Sequence, residues 1–180
     1  KIHTQYSICE GAIKIDNLKD FCKANKVKAL GISDSFNLCG ALEFSEAISK
    51  QGTQPIIGTQ IAFKYGDTTG KLTLIASSEI GYKRIIELSS KSYLENGGND
   101  DPHCFVEDLI KHSQGIIVLS GSINNLIGKL FKKGLFDDLN DLILNVSLQL
   151  MRCICFLDFF LLPKHFGYDL FEHGFSFSCH

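Results

Sequence analysis

Residues 28–49 read KALGISDSFNLCGALEFSEAIS and contain a change from a strand pattern to a helix pattern. The apolar run at 28–33 predicts a strand, and residues 38–49 repeat apolar side chains at helical spacing. Asp34 follows the strand directly. The segment therefore predicts a strand, a loop and a helix in succession, with a carboxylate at the carboxyl end of the strand.

The same alternation continues on both sides of this unit. Asp16 is the predicted N-cap of a helix that precedes it. An alternation of strands and helices favours an α/β architecture with a mostly parallel sheet or barrel. The further predicted strands lie at 59–65, 71–76 and 115–120, the further helices at 16–26, 82–94, 105–112 and 124–133, and a turn at 66–70.

Polar residues at strand ends are the first candidates for a functional site, because α/β folds gather their chemistry at the carboxyl ends of strands. The candidates are Asp34, Gln60, Ser77 and Ser120, together with His3 near the start of the chain. A histidine and an aspartate could share a zinc or manganese ion, but a catalytic zinc needs three protein ligands. Two alternatives stay open: Asp34 could cap the following helix, and His3 could be an ordinary histidine at the edge of the core.

The amino-acid composition excludes several classes of protein. The 180 residues are 44% hydrophobic and 21% charged, which excludes wholesale disorder. The net charge of −2 argues against a basic nucleic-acid binder, so we predict no direct DNA contact. The longest apolar stretch, 148–162, is interrupted by Arg152 and Asp158 and predicts no membrane span. Seven cysteines without a CxxC pair indicate reduced, mostly buried thiols in a cytoplasmic protein.

The composition changes near residue 144. Seven of the fourteen phenylalanines but only five of the 38 charged residues fall in 144–180. We therefore predict a domain at 1–143 and a hydrophobic, Phe-rich tail at 144–180. The tail could be a helix docked on the core or the product of a shifted reading frame. The chain starts with Lys1 and has one methionine, Met151, so we expect a piece of a longer protein.

Several sequence blocks, in order, carry a resemblance to a known family. The chain resembles the N-terminal PHP (polymerase and histidinol phosphatase) domain of the bacterial DNA polymerase III alpha subunit over about residues 1–135. The resemblance implies a distorted (β/α)7 barrel, here incomplete, with metal-dependent phosphoester chemistry. The blocks are HTQYS at 3–7, SDSFNLCGALEF at 33–44, PIIG at 55–58, LTLIA at 72–76, GY at 81–82, SYL at 92–94, EDL at 107–109, and 115–121.

The ligand motifs that the resemblance implies are degenerate here. Lys1-Ile2-His3 stands for His-x-His, Ser33-Asp34-Ser35 for Thr-Asp-His, and Gly58-Thr59-Gln60 for Gly-x-Glu. His3 and Asp34 are thus the remnant metal positions. Replacing two histidines and a carboxylate by lysine, serine and glutamine removes the charge and donor set that a divalent ion needs. We expect no cofactor, or zinc, manganese or magnesium if the site is active.

The resemblance implies an ancestral role in DNA replication, but no polymerase palm motif follows in these residues. We predict a fragment of a PHP domain that is non-catalytic and at most structural. Its partners would be other subunits of the polymerase III core. The first alternative is a metal-dependent PHP phosphoesterase or pyrophosphatase, and the second is a binding module for a proofreading exonuclease.

Overall fold

The computed structural model describes residues 2–95, 101–150 and 154–155. Predicted strands and helices between residues 15 and 133 are each present, with shifted ends. The helices are α1 Ile15–Asn25, α2 Ala41–Ser49, α3 Glu79–Leu94, α4 Val106–Lys111, α5 Leu126–Lys132 and α6 Phe136–Leu150. The strands are β1 Ala29–Ser35, β2 Gln54–Tyr65, β3 Thr68–Ala76, β4 Cys104–Phe105, β5 Ile116–Leu119 and β6 Ile154–Cys155.

The strands form one mixed sheet. Its hydrogen-bonded order is β1-β2-β3-β5-β6, and β4 pairs with β2. The pairings β1–β2, β2–β4 and β5–β6 are parallel, whereas β2–β3 and β3–β5 are antiparallel. Parallel pairings are thus in the majority among the described strands, and the α/β class with a mostly parallel sheet is confirmed.

The β2–β3 hairpin explains one antiparallel pairing. Gly66 and Asp67 alone form the turn, so β3 begins inside the predicted turn at 66–70. Gly66 has a φ of 55°, a left-handed conformation that glycine adopts without steric cost. So short a connection returns the chain antiparallel, because a parallel crossover needs a dozen or more residues.

The core has two parts. The larger cluster packs helices α3 to α6 against the sheet, and the smaller one packs α1 and α2 against β1. Phe63 and Phe44 are the largest fully buried side chains of the two clusters. The smaller cluster consists of Ile15, Leu18, Cys22, Ile32, Phe44 and Ile48.

The starts of α1 and α3 show why helix ends differ from the sequence prediction. The N-cap of α1 is Lys14, and Asp16 lies in the first turn, so the prediction of Asp16 as N-cap is wrong. A carboxylate there still stabilises the helix through the macrodipole. Helix α3 begins three residues earlier than predicted, because the Ser78 side chain accepts a hydrogen bond from the backbone N–H of Gly81 at 3.2 Å.

Helix α6 runs through the predicted boundary between residues 143 and 144. No helix was predicted at 136–143, whereas a helix docked on the core was one of the two alternatives for the tail. Its buried residues Leu139, Leu142 and Val146 belong to the larger core cluster. The rest of the predicted tail, apart from β6, lies outside the described residues. Within the described part of the chain, no helix is long and apolar enough to cross a membrane.

Cys9, Cys22, Cys39 and Cys104, all in the described part of the chain, are free thiols. Cys22 and Cys104 are buried, whereas Cys9 and Cys39 are exposed. The prediction of mostly buried thiols is therefore correct for two of these four cysteines. Cys153 and Cys179 lie outside the described residues.

Candidate functional site

The strand register places two of the motif positions side by side. Ser35 of β1 pairs with Gln60 of β2, and Gln60 pairs with Thr73 of β3. The Ser35 hydroxyl lies 3.4 Å from the Gln60 side-chain oxygen, and the Gln60 amide donates to the Thr73 hydroxyl at 2.8 Å. All three side chains are buried. A neutral, hydrogen-bonded row thus crosses three strands where the resemblance implies metal ligands.

Asp34 is buried at the end of β1, with 2% of its surface exposed. Its carboxylate accepts hydrogen bonds from the Thr4 backbone N–H at 2.6 Å, the Thr4 hydroxyl at 2.7 Å and the Ser7 hydroxyl at 2.6 Å. The interpretation of Asp34 as a helix N-cap is wrong, because α2 has Gly40 at its N-cap. Asp34 instead anchors the N-terminal segment to the sheet.

His3 is linked to Asp34 through Ser7. The His3 Nδ1 atom lies 3.2 Å from the Ser7 hydroxyl, which itself donates to Asp34. The same hydroxyl accepts a hydrogen bond from the Ser35 backbone N–H at 3.1 Å. The structure therefore places both remnant positions, His3 and Asp34, in one network, with a serine between them.

Two further residues complete the mouth of the site, and the sequence analysis missed both. Lys71 of β3 forms an ion pair with Glu10, and the second oxygen of Glu10 accepts a hydrogen bond from the Ser35 hydroxyl. The hydrogen bonds from Lys71 and then from Ser35 lower the pKa of Glu10 below its ordinary value. The Lys71 ammonium also lies 3.5 Å from the Ser35 hydroxyl and 4.9 Å from the centroid of the Phe36 ring.

These residues border an open groove of about 600 Å³. Its described charged lining is balanced, with the carboxylates of Glu10 and Asp101 and the ammonium groups of Lys71 and Lys129. Lys129 donates to the backbone carbonyl of Thr69 at 2.8 Å. The described lining therefore carries no net charge with which to attract an anionic substrate.

The described residues do not fit the metal centre that the resemblance implies. Within residues 2–95, 101–150 and 154–155, no three His, Cys, Asp or Glu side chains are grouped so as to hold a metal ion. Three hydrogen bonds already occupy the carboxylate of Asp34. The ammonium of Lys71 next to Ser35 would repel a divalent cation.

The other two strand-end candidates, Ser77 and Ser120, make contacts away from Asp34 and Gln60. The Ser77 hydroxyl donates to the Gly115 carbonyl at 2.8 Å and ties the end of β3 to the loop before β5. Ser120 is buried after β5, beside Leu72 and Val118. Neither forms a hydrogen bond with Asp34 or Gln60 in the part of the chain that the structure describes.

Comparison with known families and sequences gives one consistent result. The family model described as "PHP domain" matches residues 1–152. The DNA polymerase III subunit alpha of Haemophilus influenzae is 36% identical over 132 residues, and that of Pasteurella multocida is 37% identical over 137 residues. The corresponding protein of Borreliella burgdorferi is 35% identical over 154 residues.

These alignments cover 72%, 74% and 79% of this chain but only 11%, 12% and 13% of the three relatives. The chain thus spans about an eighth of the length of the curated relatives it matches. Among solved structures, a candidate metal-dependent phosphoesterase from Bifidobacterium adolescentis aligns with a TM-score of 0.51 at 12% sequence identity. That alignment covers 85% of this chain and 83% of the other, and it supports the fold alone.

Proposed function

The chain belongs to the PHP domain family, and on that premise we propose that it is a non-catalytic, structural PHP module of a DNA polymerase III alpha-type polypeptide. The three hydrogen bonds that occupy the carboxylate of Asp34 carry this proposal. They turn a position that the resemblance makes a ligand into an anchor for residues 4–7. The role proposed is to hold a folded domain in place rather than to hydrolyse a phosphoester.

The neighbouring side chains support the same role. Phosphoester hydrolysis requires an activated nucleophile and a group that stabilises the developing negative charge. Ser35 and Gln60 are neutral and hydrogen-bonded, and the Lys71 ammonium is paired with Glu10. These four side chains therefore offer contacts that stabilise the fold and no free acid–base pair.

Metal content and phosphoesterase activity test the proposal on one purified sample of the full 180-residue chain. Circular dichroism should report a folded protein, and elemental analysis after incubation with zinc, manganese and magnesium should find substoichiometric metal. Hydrolysis of bis(p-nitrophenyl) phosphate with each metal should equal the rate of a matched Asp34→Asn variant, which measures the contaminating background.

Two results would overturn the proposal. Stoichiometric metal together with a hydrolysis rate that Asp34→Asn lowers would establish the phosphoesterase alternative. An unfolded or aggregated sample would contradict a structural role for this chain. A folded, metal-free and inactive protein is the expected result.

The partners we propose are the other subunits of a polymerase III core, with a proofreading exonuclease subunit first among them and the cytoplasm as the location. The support is that the relatives are themselves named as subunits of a DNA polymerase. Size-exclusion chromatography of the chain mixed with the exonuclease subunit from the same organism tests the pairing. Co-elution is the expected result, and separate elution at every concentration tested would remove this partner.

A further inference from the structure

We propose that the Lys71 ammonium is a tethered cation that takes the electrostatic place of a bound metal ion at the mouth of the site. It neutralises Glu10 and, through Glu10, fixes the Ser35 hydroxyl beside Gln60. The inference deepens the proposed function, since it rests on the site being metal-free.

The strand register explains how Lys71 reaches this position. Thr73 of β3 pairs with Gln60, and Lys71 pairs with Ala62. Residues two apart on a strand point to the same face, so Lys71 lies on the face of the sheet that carries Thr73 and Gln60. The resemblance places the missing carboxylate ligand at Gln60, and the register thus puts a permanent positive charge next to it.

The partners of Lys71 surround it as ligands would surround a small cation. A carboxylate oxygen of Glu10, the Ser35 hydroxyl at 3.5 Å and the Phe36 ring at 4.9 Å contact the ammonium from different residues. Its side chain is 29% exposed, whereas that of Lys83, in an ordinary helix-surface ion pair, is 67% exposed. The ammonium is therefore held in a partly desolvated setting, where charge interactions are stronger than at the open surface.

Phe36 supplies a second observation that points to the same place. It has a φ of 61°, a left-handed conformation that is costly for a residue with a bulky side chain. Two hydrogen bonds hold this conformation. The Phe36 backbone N–H donates to the Gln60 carbonyl at 2.8 Å, and the Phe36 carbonyl accepts from the Tyr93 hydroxyl at 3.1 Å. The structure thus maintains a strained residue whose ring faces the Lys71 ammonium.

Removing the ammonium should expose a weak cation site. Lys71→Met would leave the Glu10 carboxylate beside the Ser35 hydroxyl and the Gln60 side-chain oxygen, which are the oxygen donors that hard divalent cations prefer. A cation that binds only the folded state raises stability by mass action. We therefore expect Lys71→Met to gain a saturable increase in Tm with manganese chloride, and the wild type to show none.

The matched control is Lys129→Met. Lys129 lines the same groove but donates to the Thr69 backbone carbonyl, and it forms no hydrogen bond or ion pair with the motif positions in the described part of the chain. It should gain no manganese response, and the double variant of Lys71→Met with Glu10→Gln should lose the response again. Lys71→Gln, which keeps an amide donor for Glu10, is the second neutral variant if the methionine variant does not fold.

A double-mutant cycle measures the pair itself. Urea unfolding of wild type, Lys71→Met, Glu10→Gln and the double variant should give a coupling of about threefold to tenfold in the folding equilibrium constant. Additive effects, or a manganese response of Lys71→Met no larger than that of Lys129→Met, would overturn the inference.

The two proposals fail in distinguishable ways. A wild-type chain with stoichiometric metal would defeat the proposed function, and elemental analysis of the wild type alone decides that. A metal-free wild type whose Lys71 variants gain no manganese response would defeat the tethered cation alone and leave the structural role standing.

Discussion

Thr4 holds the carboxylate of Asp34 from two sides, with its backbone N–H on one oxygen at 2.6 Å and its hydroxyl on the other at 2.7 Å. The two residues are 30 positions apart, and both are buried. Hydrogen bonds to an ionised carboxylate are among the stronger ones in proteins. Asp34 therefore fixes the N-terminal segment to the end of β1.

Asp34→Asn should lower the free energy of unfolding by about 2–4 kcal/mol, because the variant loses the negative charge that three buried donors require. Urea unfolding followed by circular dichroism at neutral pH measures the change. Thr4→Val is the graded control, since it removes the hydroxyl but keeps the backbone N–H, and should cost about 1 kcal/mol. An Asp34→Asn variant as stable as wild type, but with altered metal content, would assign Asp34 to a metal instead.

Acid should weaken the contact between Glu10 and Lys71. The hydrogen bond from Lys71 lowers the pKa of Glu10 below its ordinary 4.5, with a further contribution from Ser35 and a smaller one in the same direction from the charge of His3. The unfolded chain therefore binds more protons than the folded chain below that value. The contribution of Glu10 to stability is complete above pH 4.5 and is lost as the pH falls through its folded pKa.

Glu10→Gln removes this dependence. The stability difference between wild type and Glu10→Gln should be constant near neutral pH and should shrink as the pH falls below 4.5. Urea midpoints measured across the acid range for both proteins check this, and the other carboxylates cancel in the difference. A difference that grew toward low pH would contradict the assigned direction of the pKa shift.

The sequence predicted the parts of the site that depend on local pattern. The strand at 28–33 and the helix after it place Asp34 and Ser35 correctly at the end of β1. The prediction of Gln60 as a strand-end residue is wrong, because β2 continues to Tyr65, but Gln60 still lies opposite Ser35. The sequence pattern does not show which residues donate hydrogen bonds to a buried carboxylate. The contacts of Asp34 with Thr4 and Ser7 are therefore visible only in the structure.

Glu10 and Lys71 could not be predicted in the same way. They are 61 positions apart, and Lys71 reaches the site only because a two-residue turn sets the register of β2 against β3. A one-residue slip would send the lysine to the other face of the sheet. The start of helix α6 at Phe136 was missed because its apolar residues continue into the Phe-rich composition that suggested a separate tail.

The described cysteines should differ sharply in reactivity. Burial raises the pKa of the Cys104 thiol to about 12, with a smaller contribution from Asp108, and the thiolate is the reactive form. Iodoacetamide at about pH 8 should therefore label exposed Cys9 and Cys39 in the native protein and leave buried Cys22 and Cys104 unmodified. Peptide mass spectrometry resolves the sites, and labelling in urea confirms that all four can react.

Equal native labelling of Cys104 and Cys9 would show that the helices over β4 open readily. The Cys104 thiol donates to the Leu88 carbonyl at 3.2 Å, inside the larger core cluster. Its labelling rate is therefore a direct measure of opening in that part of the core.

A substitution at Gly58 tests whether the close packing of β2 on β3 positions the site. A β-carbon at Gly58 would lie 2.5 Å from the Leu74 carbonyl oxygen and 2.5 Å from the Ile75 Cδ1 atom. The backbone carbonyl cannot move aside without separating the strands that align Gln60 with Thr73. Gly58→Ala should therefore lower the free energy of unfolding by about 2–4 kcal/mol.

Gly31→Ala is the matched control in the adjoining strand. Its added carbon would meet the Ile56 side chain at 3.4 Å, which is ordinary contact, so its stability should lie within about 1 kcal/mol of wild type. Urea unfolding compares the two variants under one set of conditions. Equal stability of Gly58→Ala and Gly31→Ala would mean that β2 and β3 have room to separate. The alignment of Gln60 with Thr73, and of Lys71 with the site, would then not depend on their close approach.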